Sequence, residues 1–165
     1  MGCLGVHFAI KATTAKRLLK AEGDDEALVE LVQEEIEEEW DEARLFETDK
    51  AWDALHRCLS DGTLEVTAGT PPLNLCFFGG KVLNEESDYF VVLLTPAQVG
   101  KVAKALPKVT ESELRKRYFD QKFPGYQGEK SEEDFDYTWT QFQGLPEFFA
   151  RAAKEKRWVV FTVDQ

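Results

Sequence analysis

Between Glu22 and Asp49 the chain carries 14 acidic residues against one basic residue, Arg44, and this stretch admits few ways of folding. Leu28, Val32, Ile36 and Trp40 recur every four positions with Leu31 beside them, the stripe of an amphipathic helix that buries one face on a core. Glu26, Glu30, Glu34, Glu37, Glu38 and Asp41 fall mainly on the other side, which has to remain in water because unpaired carboxylates are costly to bury. The pattern predicts a long helix over residues 25–42, capped by Asp24 or Asp25.

The whole chain has a net charge of −11. With −13 confined to residues 22–49, the remainder carries +2, so the imbalance belongs to one segment. A face of that sign argues against nucleic acid, whose phosphates require clustered Lys and Arg. It suits a basic protein partner, because a surface of one sign steers encounter; solvation alone is the plainer use of such a face. A milder basic stretch at 101–122 (Lys101, Lys104, Lys108, Arg115, Lys116, Arg117, Lys122) could complement the acidic helix within the molecule or in a homodimer.

A length of 165 residues fits one domain, residues 1–165, able to build a core without staples. Hydrophobic residues make up 43% and mean hydropathy is −0.39, as expected of a folded chain. No apolar run nears the roughly 18 residues of a membrane span, and the start MGCLGVHFAI lacks a signal peptide's basic flank. Val6 stands where a myristoylation motif beginning Met1-Gly2-Cys3 would need Ser or Thr. A cytoplasmic protein with no membrane partner is expected. Cys3, Cys58 and Cys76 are odd in number and far apart, which points to reduced thiols, with Cys58 and Cys76, each flanked by apolar residues, in structural roles.

The apolar pattern places a strand at Gly5–Ile10 and a helix from about Thr13 or Thr14, stopping near Gly23. A third helix is expected from Asp49 to about Ser60, with Trp52, Leu55, His56 and Leu59 on one face and Gly62 as its left-handed stop. The run LNLCFF, bracketed by Pro71-Pro72 and Gly79-Gly80, fits either a short helix or a strand. Tyr89 to Leu94 reads as a strand covered on both faces, and Thr95-Pro96 opens a helix to about Leu106. Thr110 and Glu113 match a capping box. Ser131 is placed to cap a further helix, and Leu145–Lys156 is the last before a strand at Trp158–Val163.

Three blocks, DKAWDALHRCLSDG at 49–62, LTPAQVGKVAKAL through LRKRYF at 94–119, and FFARAAKEKRWVVFTV at 148–163, resemble the bacterial YfbM-like family, also called domain of unknown function 1877. The resemblance implies an α+β single domain with a mixed central β-sheet flanked by helices. It implies no activity, since none is established for the family. The very acidic second helix and Gly144-Leu145-Pro146 depart from the family pattern.

His7 and His56 are the only histidines, so a site built from several imidazoles is excluded, and no metal or cofactor is implied. Asp53 and His56 lie three apart and could face together, with His56 as a general base oriented by Asp53; a packed structural histidine is the plainer reading. Gly79-Gly80 is too short for a phosphate cradle and reads as a turn. Phe135, Trp139 and Phe142 repeat as a core stripe, whereas Tyr126 and Tyr137 lie off it and are candidate partner contacts.

Two functions are therefore expected to compete. The first is a non-enzymatic protein-binding module that presents Glu30, Glu34, Glu37, Glu38 and Asp41 to a basic partner, such as a toxin met by an immunity protein. The alternative is an enzyme or small-ligand binder with a pocket near His56, Asp53 and residues 71–80.

Overall fold

In a computed structural model, which describes residues 3–86 and 88–164, the chain forms one antiparallel sheet with helices on both faces. The acylation-like start at Met1-Gly2 lies outside the described residues. Strand β1 (Gly5–Ile10) sits second in the sheet, between edge strand β2 (Leu45–Asp49) and β5 (Trp158–Asp164); β4 (Tyr89–Leu94) and the two-residue β3 (Lys81–Val82) complete the order β2-β1-β5-β4-β3. The α+β, helix-flanked architecture is as expected. The pairing, however, is antiparallel at every described junction rather than mixed. β1, β4 and β5 read as nearly unbroken apolar runs because helices cover both faces, a pattern more usual in parallel sheets.

Alternation along the strands divides the core in two. Val6, Phe8 and Ile10 of β1, Val91 and Leu93 of β4 and Val160 of β5 meet Ala15 and Leu18 of α1 (Ala12–Lys20) and Leu28 of α2 (Asp25–Leu31). The opposite faces, with Ala9, Val92, Leu94, Val159 and Phe161, are buried under α3 (Trp52–Leu59), α4 (Pro96–Ala105), α5 (Glu111–Asp120), α6 (Glu132–Phe142) and α7 (Leu145–Lys154). The acidic helix and the basic α4–α5 stretch thus lie on opposite sides of the sheet, which rules out charge complementation between them within one molecule.

The acidic segment does not form one helix to residue 42. After α2 it widens into a π-helical turn at Val32–Glu37, closed by Glu38 N–H donating to the Gln33 carbonyl at 3.1 Å. An i→i+5 turn inserts an extra residue and rotates the residues beyond it about the helix axis. Trp40 therefore leaves the apolar stripe: it has φ +32° and is 42% exposed, touching Phe8 only edge-on. Residues 45–49, expected as loop and helix start, form β2, which delays α3 to Trp52. LNLCFF resolves into a 3-10 turn at Leu73–Cys76 followed by the buried Phe77 and Phe78.

Local signals elsewhere hold. Asp24 caps α2 by accepting from Ala27 N–H at 3.1 Å, and Ser131 caps α6. Gly62 has φ +91°, and a Cβ there would stand 2.6 Å from the Lys122 carbonyl. The reciprocal capping box forms at Thr95 and Gln98. At Thr110 only half of it forms, because the Glu113 carboxylate pairs with Arg117 at 3.1 Å instead. Phe135 and Phe142 are buried, and Trp139 is half-buried against Phe142.

Candidate functional site

His56 points into the protein. It has no exposed surface, its ring stands edge-on to Phe78 at 4.9 Å, and Nε2 is 3.0 Å from the Glu65 carbonyl. Burial holds its pKa below the usual value, which keeps the ring neutral. Asp53 does not orient it: the carboxylate accepts from Arg57 Nε at 2.5 Å, one turn further along α3. The i,i+4 neighbour wins because the guanidinium is itself buried and needs a counter-charge. Arg57 also donates to the Pro124 carbonyl at 2.8 Å and lies over the Phe123 and Tyr126 rings, tying α3 to the 121–126 loop. A base sealed from solvent, with its supposed partner engaged elsewhere, has no geometry for proton transfer to a substrate.

The two tyrosines singled out in the sequence are likewise engaged internally. Tyr126 donates to Asp134 at 2.9 Å, and Tyr137 donates to Asp49 at 2.6 Å while accepting from Lys50 N–H at 3.1 Å. Their position off the apolar stripe reflects these hydrogen bonds, not exposure: both are half-buried. Among the described residues, no group of three or more His, Cys, Asp or Glu is arranged to hold a metal ion.

The acidic residues divide into those with partners and those without. Asp41 accepts from Arg44 at 2.7 Å and from Ala43 N–H, which holds its carboxyl below the usual range. Glu35 pairs with Arg17, and Glu22 with Lys81 at 3.1 Å. Glu37 is half-buried and accepts from Tyr89 at 3.3 Å; burial pushes its pKa up. By contrast Glu26, Glu30, Glu34 and Glu38 are exposed and make no ion pair among the described residues.

Three of these four, Glu26, Glu30 and Glu34, line one side of an open groove of about 650 Å³. The hairpin between β3 and β4 supplies Glu86 and Asp88, and Val29 and Tyr89 add apolar surface. Asp25 fixes the groove's end. Its two carboxylate oxygens accept from Glu85 N–H and Glu86 N–H, both at 2.8 Å, so the hairpin is bound to the start of the helix. Sequence reasoning missed Asp25, Glu26, Val29, Glu86, Asp88 and Tyr89 as one unit. The acids at 85, 86 and 88 were the available signal, but nothing local says that their hairpin folds back onto α2. Glu38 and Asp41, grouped with Glu30 and Glu34 from the helical repeat, fall outside the groove because the π-helical turn redirects the chain.

A second cleft, of about 370 Å³, lies between the end of β1, α1 and the π-helical turn; it is lined by Lys11, Glu35, Glu39, Asp41, Arg44 and Arg157 among others. Its charges largely cancel: Arg44 pairs with Asp41 and with Glu155 at 3.2 Å, and Arg157 pairs with Glu155 at 3.0 Å. Among the described residues, no helix is long and apolar enough to cross a membrane.

No curated protein sequence matches the chain. A solved structure, that of the protein of unknown function YfbM from Escherichia coli, is similar over 97% of this chain and 99% of that one, with a TM-score of 0.70 and 19% identity. At that identity the likeness carries the fold alone. The family model described as domain of unknown function (DUF1877) matches residues 1–162, and the chain belongs to that family.

Proposed function

We propose that the protein is a non-enzymatic binding domain that receives a lysine- or arginine-rich segment of a basic protein in the groove between α2 and the β3–β4 hairpin. The observation that carries this reading is the arrangement of Glu26, Glu30 and Glu34 opposite Glu86 and Asp88, beside Val29 and Tyr89, with no ion pair to any of the five acids among the described residues. Like charges held on two walls repel, and a cationic segment between them relieves that repulsion while its aliphatic stems cover the apolar surface. The field also speeds encounter. A basic toxin neutralised by an immunity protein is a partner of this chemistry.

Fluorescence anisotropy with a labelled Lys/Arg-rich peptide and a neutral peptide of equal length tests the reading. The basic peptide should bind, weaken by about tenfold or more between 20 and 200 mM salt as screening sets in, and lose most of its affinity to the Glu30→Gln/Glu34→Gln variant. Equal binding of the two peptides, or affinity unchanged in the variant, would overturn it.

A further inference from the structure

The opposite side of the molecule has the opposite sign. Helices α4 and α7 pack side by side over the face of the sheet remote from α2, burying Val99, Val102, Phe148, Phe149 and Ala152. Their outer surface carries exposed Lys101, Lys104, Lys108, Arg151, Lys154 and Lys156 against exposed Glu147 and Glu155. Lys101, Lys104 and Lys108 follow one another at three- and four-residue intervals, one stripe along α4 and the turn after it. None of the five lysines forms an ion pair among the described residues, and Glu147 and Glu155 are taken up by arginines.

We propose that this lysine face docks the acidic groove of a second copy of the chain, so that the molecules associate head to tail. The inference rests on the groove reading above, that these acids receive lysines, and here the lysines are those of another copy rather than of a basic protein. Net charge does not forbid the contact. At physiological salt the Debye length of about 8 Å is less than the roughly 10 Å spacing of packed layers, so an approaching copy responds mainly to the face it meets. Outside residues 22–49 that copy has a net charge of +2. An interface joining two different faces leaves one of each free at the ends, so association is open-ended and grows with concentration.

Complementary variants test the geometry. Wild-type protein at 150 mM salt, where the Debye length is about 8 Å, should show by sedimentation velocity a weight-average mass rising with concentration above the 18.8 kDa monomer, and should return to monomer at 1 M salt. Lys101→Gln/Lys104→Gln/Lys108→Gln neutralises the lysine face, Glu26→Gln/Glu30→Gln/Glu34→Gln neutralises the acidic one, and each variant alone should stay monomeric. Their equimolar mixture should form a 1:1 dimer, because one intact face of each kind remains. A wild type that stays monomeric at millimolar concentration in 150 mM salt, or a mixture that does not dimerise there, would overturn the proposal. The lysine-face variant must still bind the basic peptide. If it does and no dimer forms, self-docking fails while the groove reading stands; if wild-type protein binds no peptide, the groove reading itself fails.

Discussion

Acidification should destabilise this fold through His7, and the size of the effect is set by where β1 places the ring. His7 has no exposed surface and is surrounded by Phe77, Phe148, Phe149 and Phe161 at centroid distances of 4.7–5.9 Å. Nε2 lies 2.6 Å from the Cys76 carbonyl and Nδ1 has no partner, so a second proton would be buried without an acceptor. Burial lowers the pKa to about 4, against 6.5 in the unfolded chain. Between those values the unfolded state binds more protons than the native one. Stability is therefore complete above about pH 7 and is lost as pH falls from 6.5 to 4. With about 1.4 kcal/mol for each tenfold change in proton affinity, the loss approaches about 3 kcal/mol below pH 4 and is about 2 kcal/mol at pH 5.0. His56 acts in the same direction, whereas Glu37, whose pKa is raised, acts weakly in the other. Comparing wild type with His7→Gln cancels these shared contributions. Urea denaturation at pH 7.5 and 5.0 should show wild type losing about 2 kcal/mol more than the variant across that interval. Parallel losses in the two proteins would refute the account of His7 as a buried neutral imidazole.

Packing and charge give three further expected outcomes. Gly144→Ala places a methyl 2.1 Å from the Phe46 ring and should lower stability by about 1–3 kcal/mol, the usual cost of overpacking, read as a drop in melting temperature. Arg57→Met leaves Asp53 half-buried without its cation and unpins the 121–126 loop; urea denaturation should record a loss of about 3–5 kcal/mol, as for other broken buried pairs. Glu30→Gln/Glu34→Gln/Glu38→Gln removes the four-residue acid pairs Glu26–Glu30, Glu30–Glu34 and Glu34–Glu38 and should raise the melting temperature at low salt, by about 0.2–0.5 kcal/mol for each pair on regular helix, with the gain shrinking as salt is added. A fall instead would mean that these carboxylates have stabilising partners.

How legible each element was depended on the range of the interaction that forms it. The strands Gly5–Ile10, Tyr89–Leu94 and Trp158–Asp164, the caps at Asp24, Thr95 and Ser131, and the stop at Gly62 arise from residues within a few positions of one another, and all were visible in the sequence. β2 was not, because LFETD becomes a strand only by pairing with β1 at the sheet's edge. Trp40 misled for a related reason: its four-residue spacing is helical, but one i→i+5 turn before it moves it off the face that its neighbours bury. Tyr126 and Tyr137 looked free in the sequence because their partners, Asp134 and Asp49, lie 8 and 88 residues away.

The sequence by itself determined the charge and its segregation. Covalent composition places −13 in one segment, and the apolar period obliges that segment to expose its acids whatever it packs on. It also determined that Tyr89–Leu94, an unbroken apolar strand, would need cover on both faces, and the resemblance of its blocks to the family implied the helix-flanked sheet. Only the tertiary structure decided what those charges surround. Asp25 binding the Glu85 and Glu86 amides sets the hairpin acids opposite those of α2, and the sheet separates that groove from the lysines of α4 and α7. Both are distances between residues remote in sequence, fixed by chain closure and layer packing rather than by any local preference.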